Sequence, residues 1–102
     1  MMFESDKFLT NGVHENIPIE LQLFMWEAID KMPSPKDYLQ VFDLKVENGL
    51  QVIHHHSEEP EFEVTYILTT VTKPVTAKIY VIDDYHEEED KHIATMLLAE
   101  EY

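Results

Sequence analysis

The dipeptide Asn48-Gly49 does more than any other feature to restrict what this chain can become. It follows a run in which Tyr38, Phe42, Leu44 and Val46 fall on one side, interrupted only by Gln40, and it precedes a second alternating run from Leu50 to about His55. A two-residue loop between alternating strands takes a type I′ turn, whose two central residues both need positive φ, and Asn-Gly tolerates this best. Such a loop fixes the register: Glu47 faces Leu50, Leu44 opposes Ile53 toward the core, and Asp43 opposes His54 on the other face. The chain must therefore build an antiparallel sheet.

What lies on that sheet is read from a second periodicity. Between Pro18 and Met32, apolar residues recur at three- and four-residue steps (Ile17, Leu21, Phe24 or Met25, Ala28, Met32), which predicts a helix. Asn16 is its expected cap, Pro18 suits its first turn, Glu20 favours the positive end of the dipole, and Pro33 with Pro35 ends it. Leu23 and Trp26 widen the apolar arc, as in a helix laid across a sheet. Further strands are expected at Glu61 to Leu68, Thr76 to Ile82 and His92 to Ala99, with Lys7 to Thr10 as an edge strand before a turn at Asn11-Gly12. Thr69 to Val75 and the acidic run Asp83 to Asp90 read as loops. The expected fold is α+β: a single domain over residues 1–102, with one main helix packed on a mostly antiparallel sheet of five or six strands that has room to curl toward a half-barrel.

Charge narrows the function. The chain carries 7 Lys+Arg against 21 Asp+Glu, a formal net charge of −14, and its second half is the more acidic. All the basic residues are Lys, so the two-pronged guanidinium contact to phosphate or guanine is absent. A negative field excludes direct nucleic-acid binding of the usual kind and opposes anionic membranes. No apolar segment follows the acidic start Met1 to Asp6, and nothing approaches a membrane span, so a cytoplasmic protein is expected. With no Cys there are no disulfides, thiolate metal sites or cysteine nucleophile.

Among residues that could carry chemistry, His54-His55-His56 leads. Residues two apart on a strand point the same way, and in the register above His54, His56 and Asp43 share one face. Two imidazoles and a carboxylate suit a divalent metal with an open position, to which His86 or His92 could add a fourth ligand. Lys45 and Glu47 share that face, and no second shell to orient the imidazoles is evident; the plainer reading is a solvated strand end. The acidic run lacks the spacing and central glycine of a calcium loop. Asp84 and Glu89 with Lys91 make only a poor nuclease-like set, with nothing basic to hold DNA. No serine sits in a nucleophile elbow, and Gly12 and Gly49 read as turn residues rather than a phosphate cradle. Trp26, Phe24 and Met25 read as core.

Several segments carry a family resemblance: Phe8-Leu9-Thr10-Asn11-Gly12-Val13, Ile17 through Trp26, Asp37 through Phe42, Ile79 through Asp84, and Thr95 through Tyr102. Together they resemble the short proteins of low-GC Gram-positive bacteria known as domain of unknown function 960, along nearly the whole chain. That resemblance implies a bacterial cytosolic protein and brings no activity, cofactor or site; the histidine triplet and the acidic run beyond Asp84 stand outside the segments that carry it. The leading expectation is a non-enzymatic interaction or regulatory module whose partner is a protein with a basic surface. Two alternatives are a divalent-metal protein using Asp43, His54 and His56, and a DNA mimic that occupies a DNA-binding protein. Oligomeric state stays open.

Overall fold

The computed structural model describes Phe3 and residues 6–102; the rest of the acidic start, Met1, Met2, Glu4 and Ser5, lies outside the described residues. Among the described residues six strands form one sheet, in the order β1-β6-β5-β2-β3-β4. They are β1 (Asp6–Leu9), β2 (Leu39–Glu47), β3 (Leu50–Glu58), β4 (Glu61–Leu68), β5 (Ala77–His86) and β6 (Lys91–Leu98). Two helices, α1 (Asn11–Asn16) and α2 (Ile19–Asp30), follow β1, and a 3-10 turn at Ala99–Glu101 closes the chain. Every pairing is antiparallel except β1 with β6, which is parallel. The sheet is mixed, and it does not close into a barrel.

The Asn48-Gly49 hairpin forms as its chemistry dictates, with φ of 52° and 77° at the two positions. Glu47 pairs with Leu50, Leu44 with Ile53 and Asp43 with His54, the register expected from the two-residue loop. β2, β3 and β4 meander, and the chain then crosses the core side to bring β5 back beside β2, a Greek-key path. Val71 and Val75 of this crossover pack on the core. The buried Gln51 amide holds the crossover: its oxygen accepts from the Val75 N–H (2.7 Å), and its nitrogen donates to the Val75 and Lys45 carbonyls (3.0 Å each).

Ile17, Leu21, Met25, Ala28 and Ile29 of the helical segment cover one sheet face, meeting Phe42, Leu44, Ile53, Ile79, Val81 and Met96. Met25 takes the fully buried place in the stripe, while Phe24 sits at its margin, edge-on to Tyr66 at 5.0 Å. Burying this apolar area drives folding.

The expectation of one main helix is incomplete. Asn11-Gly12 opens α1 instead of turning, because the Thr10 hydroxyl caps it by accepting from the Val13 N–H (3.3 Å). That hydroxyl donates in turn to Glu101 (2.6 Å), whose carboxylate lies where a Cβ on residue 12 would sit. Asn16 closes α1 by donating to the Gly12 carbonyl (2.9 Å), so it does not cap α2, which begins after Pro18 with no side-chain cap. Leu23, at 57% exposure, faces outward rather than the sheet. The acidic loop is also shorter than its composition indicates: β5 runs on to His86, and only Glu87 to Asp90 turn.

Candidate functional site

Strand alternation divides the sheet into a face under the helices and an open face. Because Ile53 points into the core, its neighbours His54 and His56 point outward and His55 points inward. Asp43 joins His54 and His56 from the adjacent strand. Its Oδ2 lies 3.0 Å from His56 Nε2 and 3.8 Å from His54 Nδ1. One donor atom from each residue falls within 4.8 Å of the others, and the two imidazoles stack with centroids 4.8 Å apart. The two imidazoles are about one-third exposed and the Asp43 side chain 27%.

Two residues missing from the sequence reading complete this cluster. Glu63 on β4 brings Oε1 to 3.4 Å from His54 Nε2, the nitrogen turned away from Asp43. Lys78 on β5 places its ammonium 3.9 Å from the other Asp43 oxygen, Oδ1. The signal for Glu63 was available: it faces His56 across the β3–β4 pair and shares the outward side, but β4 had no register until its partner was known. The proposed fourth ligands are not there. His92 belongs to the core side of β6 and bonds through Nδ1 to the buried Asp83, whose second oxygen accepts from the Phe3 N–H (2.7 Å). His86 ends β5 opposite Lys91. Lys91 pairs with Asp6 (2.6 Å) and with Glu89 (3.2 Å), a member of the nuclease-like set, and both pairings raise its pKa.

His55 has the opposite environment. It is fully buried, stacked on Phe42 at 4.1 Å and near Phe62 at 5.0 Å. Desolvation, aided by the neighbouring His56 and His54, lowers its pKa to about 4, so the ring is neutral at pH 7. Its Nε2–H donates to Gln40 Oε1 (2.7 Å), and the Gln40 amide donates to the Asp37 carbonyl (2.9 Å). Gln40, which breaks the apolar pattern of β2, is therefore buried as the partner of His55.

A groove of about 450 Å³ opens beside His56, between the ends of β2 and β3 and the segment before β2. Tyr38, Leu39 and Val41 line it from the β2 side, and Lys36, Glu58 and Glu59 line it as well. Asp37 fixes its rim. Burial pulls the Asp37 carboxyl up, but the N–H groups of Leu39, Glu59 and Glu58 together outweigh that and hold its pKa below the usual value. Across β2, β5, β6 and β1 the face away from the helices turns apolar: Val41, Tyr80 and Leu97 lie side by side, Val41 and Leu97 at only 9% exposure each, half-buried Ile82, Ile93 and Thr95 flank them, and Phe8 ends the row at 52% exposure. Tyr102 stacks edge-on to Tyr80 at 5.6 Å and is itself 81% exposed. Among the described residues no helix is long and apolar enough to cross a membrane.

No curated protein matches the chain. A crystal structure of a protein of unknown function from Enterococcus faecalis shares the fold at a TM-score of 0.79 and 27% identity, covering 100% of this chain and 96% of that one. A family model described as staphylococcal protein of unknown function (DUF960) matches residues 6–101, the same span as β1 through the final turn, and the chain belongs to that family.

Proposed function

We propose that this protein is a non-enzymatic interaction module that presents its open sheet face to a protein with a basic surface. The observation that carries the reading is the composition of that face: an apolar row from Val41 to Phe8, continuous at Val41 and Leu39 with a groove lined also by Asp37, Glu58 and Glu59 against one lysine, Lys36. A Lys or Arg side chain of a partner finds there an apolar wall for its stem and the Glu58 and Glu59 carboxylates for its head. The net charge of −14 supplies long-range attraction to such a partner and keeps anionic competitors away.

The test is capture from host lysate on a tag without histidines, at low and moderate salt. A stoichiometric partner should be retained by the parent and by the helix-face variant Leu23→Ser, and lost with Tyr38→Ala or Glu58→Lys. Salt should weaken it. A partner held equally by all four proteins, or with the same affinity at both ionic strengths, would refute this use of the face.

A further inference from the structure

We infer that Asp43, His54 and His56 form a binding site for one divalent transition-metal ion of the zinc class, with Glu63 as the positioning residue behind His54. The donor set selects the ion. Two imidazole nitrogens with one carboxylate oxygen favour zinc, nickel, copper or ferrous iron over calcium and magnesium, which take all-oxygen shells.

The spacing agrees. Ligands ~2.0 to 2.2 Å from a tetrahedral ion lie roughly 3.3 Å from one another. Asp43 Oδ2 is 3.0 Å from His56 Nε2 and 3.8 Å from His54 Nδ1, within a few tenths of an ångström of that spacing, and all three donors lie within 4.8 Å of one another, so an entering ion draws them together. Side-chain rotation suffices for that. The three Cα atoms are held by the paired strands β2 and β3, with Asp43 directly opposite His54.

The surroundings prepare each ligand. A metal-bound imidazole commonly donates its remaining N–H to a carboxylate, which fixes the tautomer and raises the basicity of the coordinating nitrogen. Glu63 stands at that position for His54, 3.4 Å from Nε2, leaving the Nδ1 lone pair turned toward Asp43. Lys78 occupies Asp43 Oδ1 at 3.9 Å, which leaves Oδ2 as the oxygen for the ion. Three protein ligands leave at least one coordination position free, and one ligand, His56, also lines the neighbouring groove.

The experiment uses full-length protein on a histidine-free tag, stripped with chelator and titrated with zinc by calorimetry and by melting; cobalt(II) serves as a spectroscopic probe. We expect one ion per chain, a raised melting temperature, and cobalt bands of low coordination number. His54→Ala with His56→Ala should lower zinc affinity at least a hundredfold and abolish the bands, as should Asp43→Asn to a smaller degree. Both lie on the open face, and circular dichroism of each variant checks that the sheet is intact. Glu63→Gln should weaken binding about tenfold at unchanged stoichiometry. His14→Ala with His86→Ala, which alters two other exposed histidines, should leave zinc affinity unchanged. No binding by the parent, or binding that survives in the His54/His56 variant, overturns the site; unaltered affinity in Glu63→Gln overturns the role of Glu63.

Discussion

Acid should destabilise this protein through His55 in a window fixed by its burial. The folded ring titrates at about 4, against 6.5 for an ordinary histidine. Between those values the unfolded chain holds a proton that the folded one does not, so stability rises with pH across the window. It is therefore fully present above pH 6.5, falls as pH drops toward 4, and loses nothing more from this group below that. The gap between 6.5 and about 4, at roughly 1.4 kcal/mol per pH unit, amounts to about 3 kcal/mol, a large part of the ~5 to 15 kcal/mol that holds a domain together. His55→Phe isolates the effect. Phenylalanine preserves the stack between Phe42 and Phe62 but strips Gln40 Oε1 of its donor, which costs about 1 to 3 kcal/mol at pH 7. Urea denaturation at intervals from pH 7.5 to 4.5 should show the parent ahead at neutral pH and its lead vanishing or reversing near pH 4.5. Curves that stay parallel across that range would refute the reasoning, as would a His55 ring resonance with a titration midpoint near 6.5.

Two structural substitutions follow from the same geometry. Gly49→Ala meets no atom within 4 Å, so its penalty is confined to the left-handed backbone at φ 77°; a loss of about 1 to 2 kcal/mol with an unchanged urea m-value is expected. Asp83→Ala removes the acceptor shared by the Phe3 N–H and His92 and should cost about 2 to 3 kcal/mol, while hydrogen exchange at Phe3 accelerates well before global unfolding.

The elements that local chemistry determines were legible in the sequence. Asn48-Gly49 specified the hairpin and its register, alternation located β4 from Glu61 to Leu68, and three- and four-residue spacing located α2. From the hairpin register alone, Asp43, His54 and His56 could be placed on one face. What resisted reading depends on partners distant in the chain. Gln40 looked like a flaw in β2 because its partner is fifteen residues away on β3, and Asp83 looked like loop because the groups that satisfy it are Phe3 and His92. α1 was hidden by Asn11-Gly12, a turn signal that yields here to the Thr10 cap and to Glu101, which arrives from the opposite end of the sequence. The parallel pairing of β1 with β6 joins the two ends of the chain, and no short-range pattern encodes it.

The histidine triplet shows why the register itself needs protection. Three identical neighbours occupy two environments: His54 and His56 share water with Asp43 and Glu63, while His55 is fully enclosed between two aromatic rings. A slip of β3 by one residue would expose Ile53 and His55 and force His54 and His56 into the core, desolvating two imidazoles without partners. A slip by two keeps the apolar pattern facing inward, so hydrophobic burial alone opposes it weakly. The bond from His55 Nε2–H to Gln40 Oε1 opposes it directly, because moving either residue along the strand orphans two buried polar groups at about 1 to 3 kcal/mol each. Three residues before Asp43 and on the opposite face of β2, Gln40 thus holds the alignment that keeps Asp43 opposite His54. The buried pair and the open cluster are coupled through the register of a single hairpin, so Gln40→Leu should disturb the spacing of Asp43, His54 and His56 although it touches none of them.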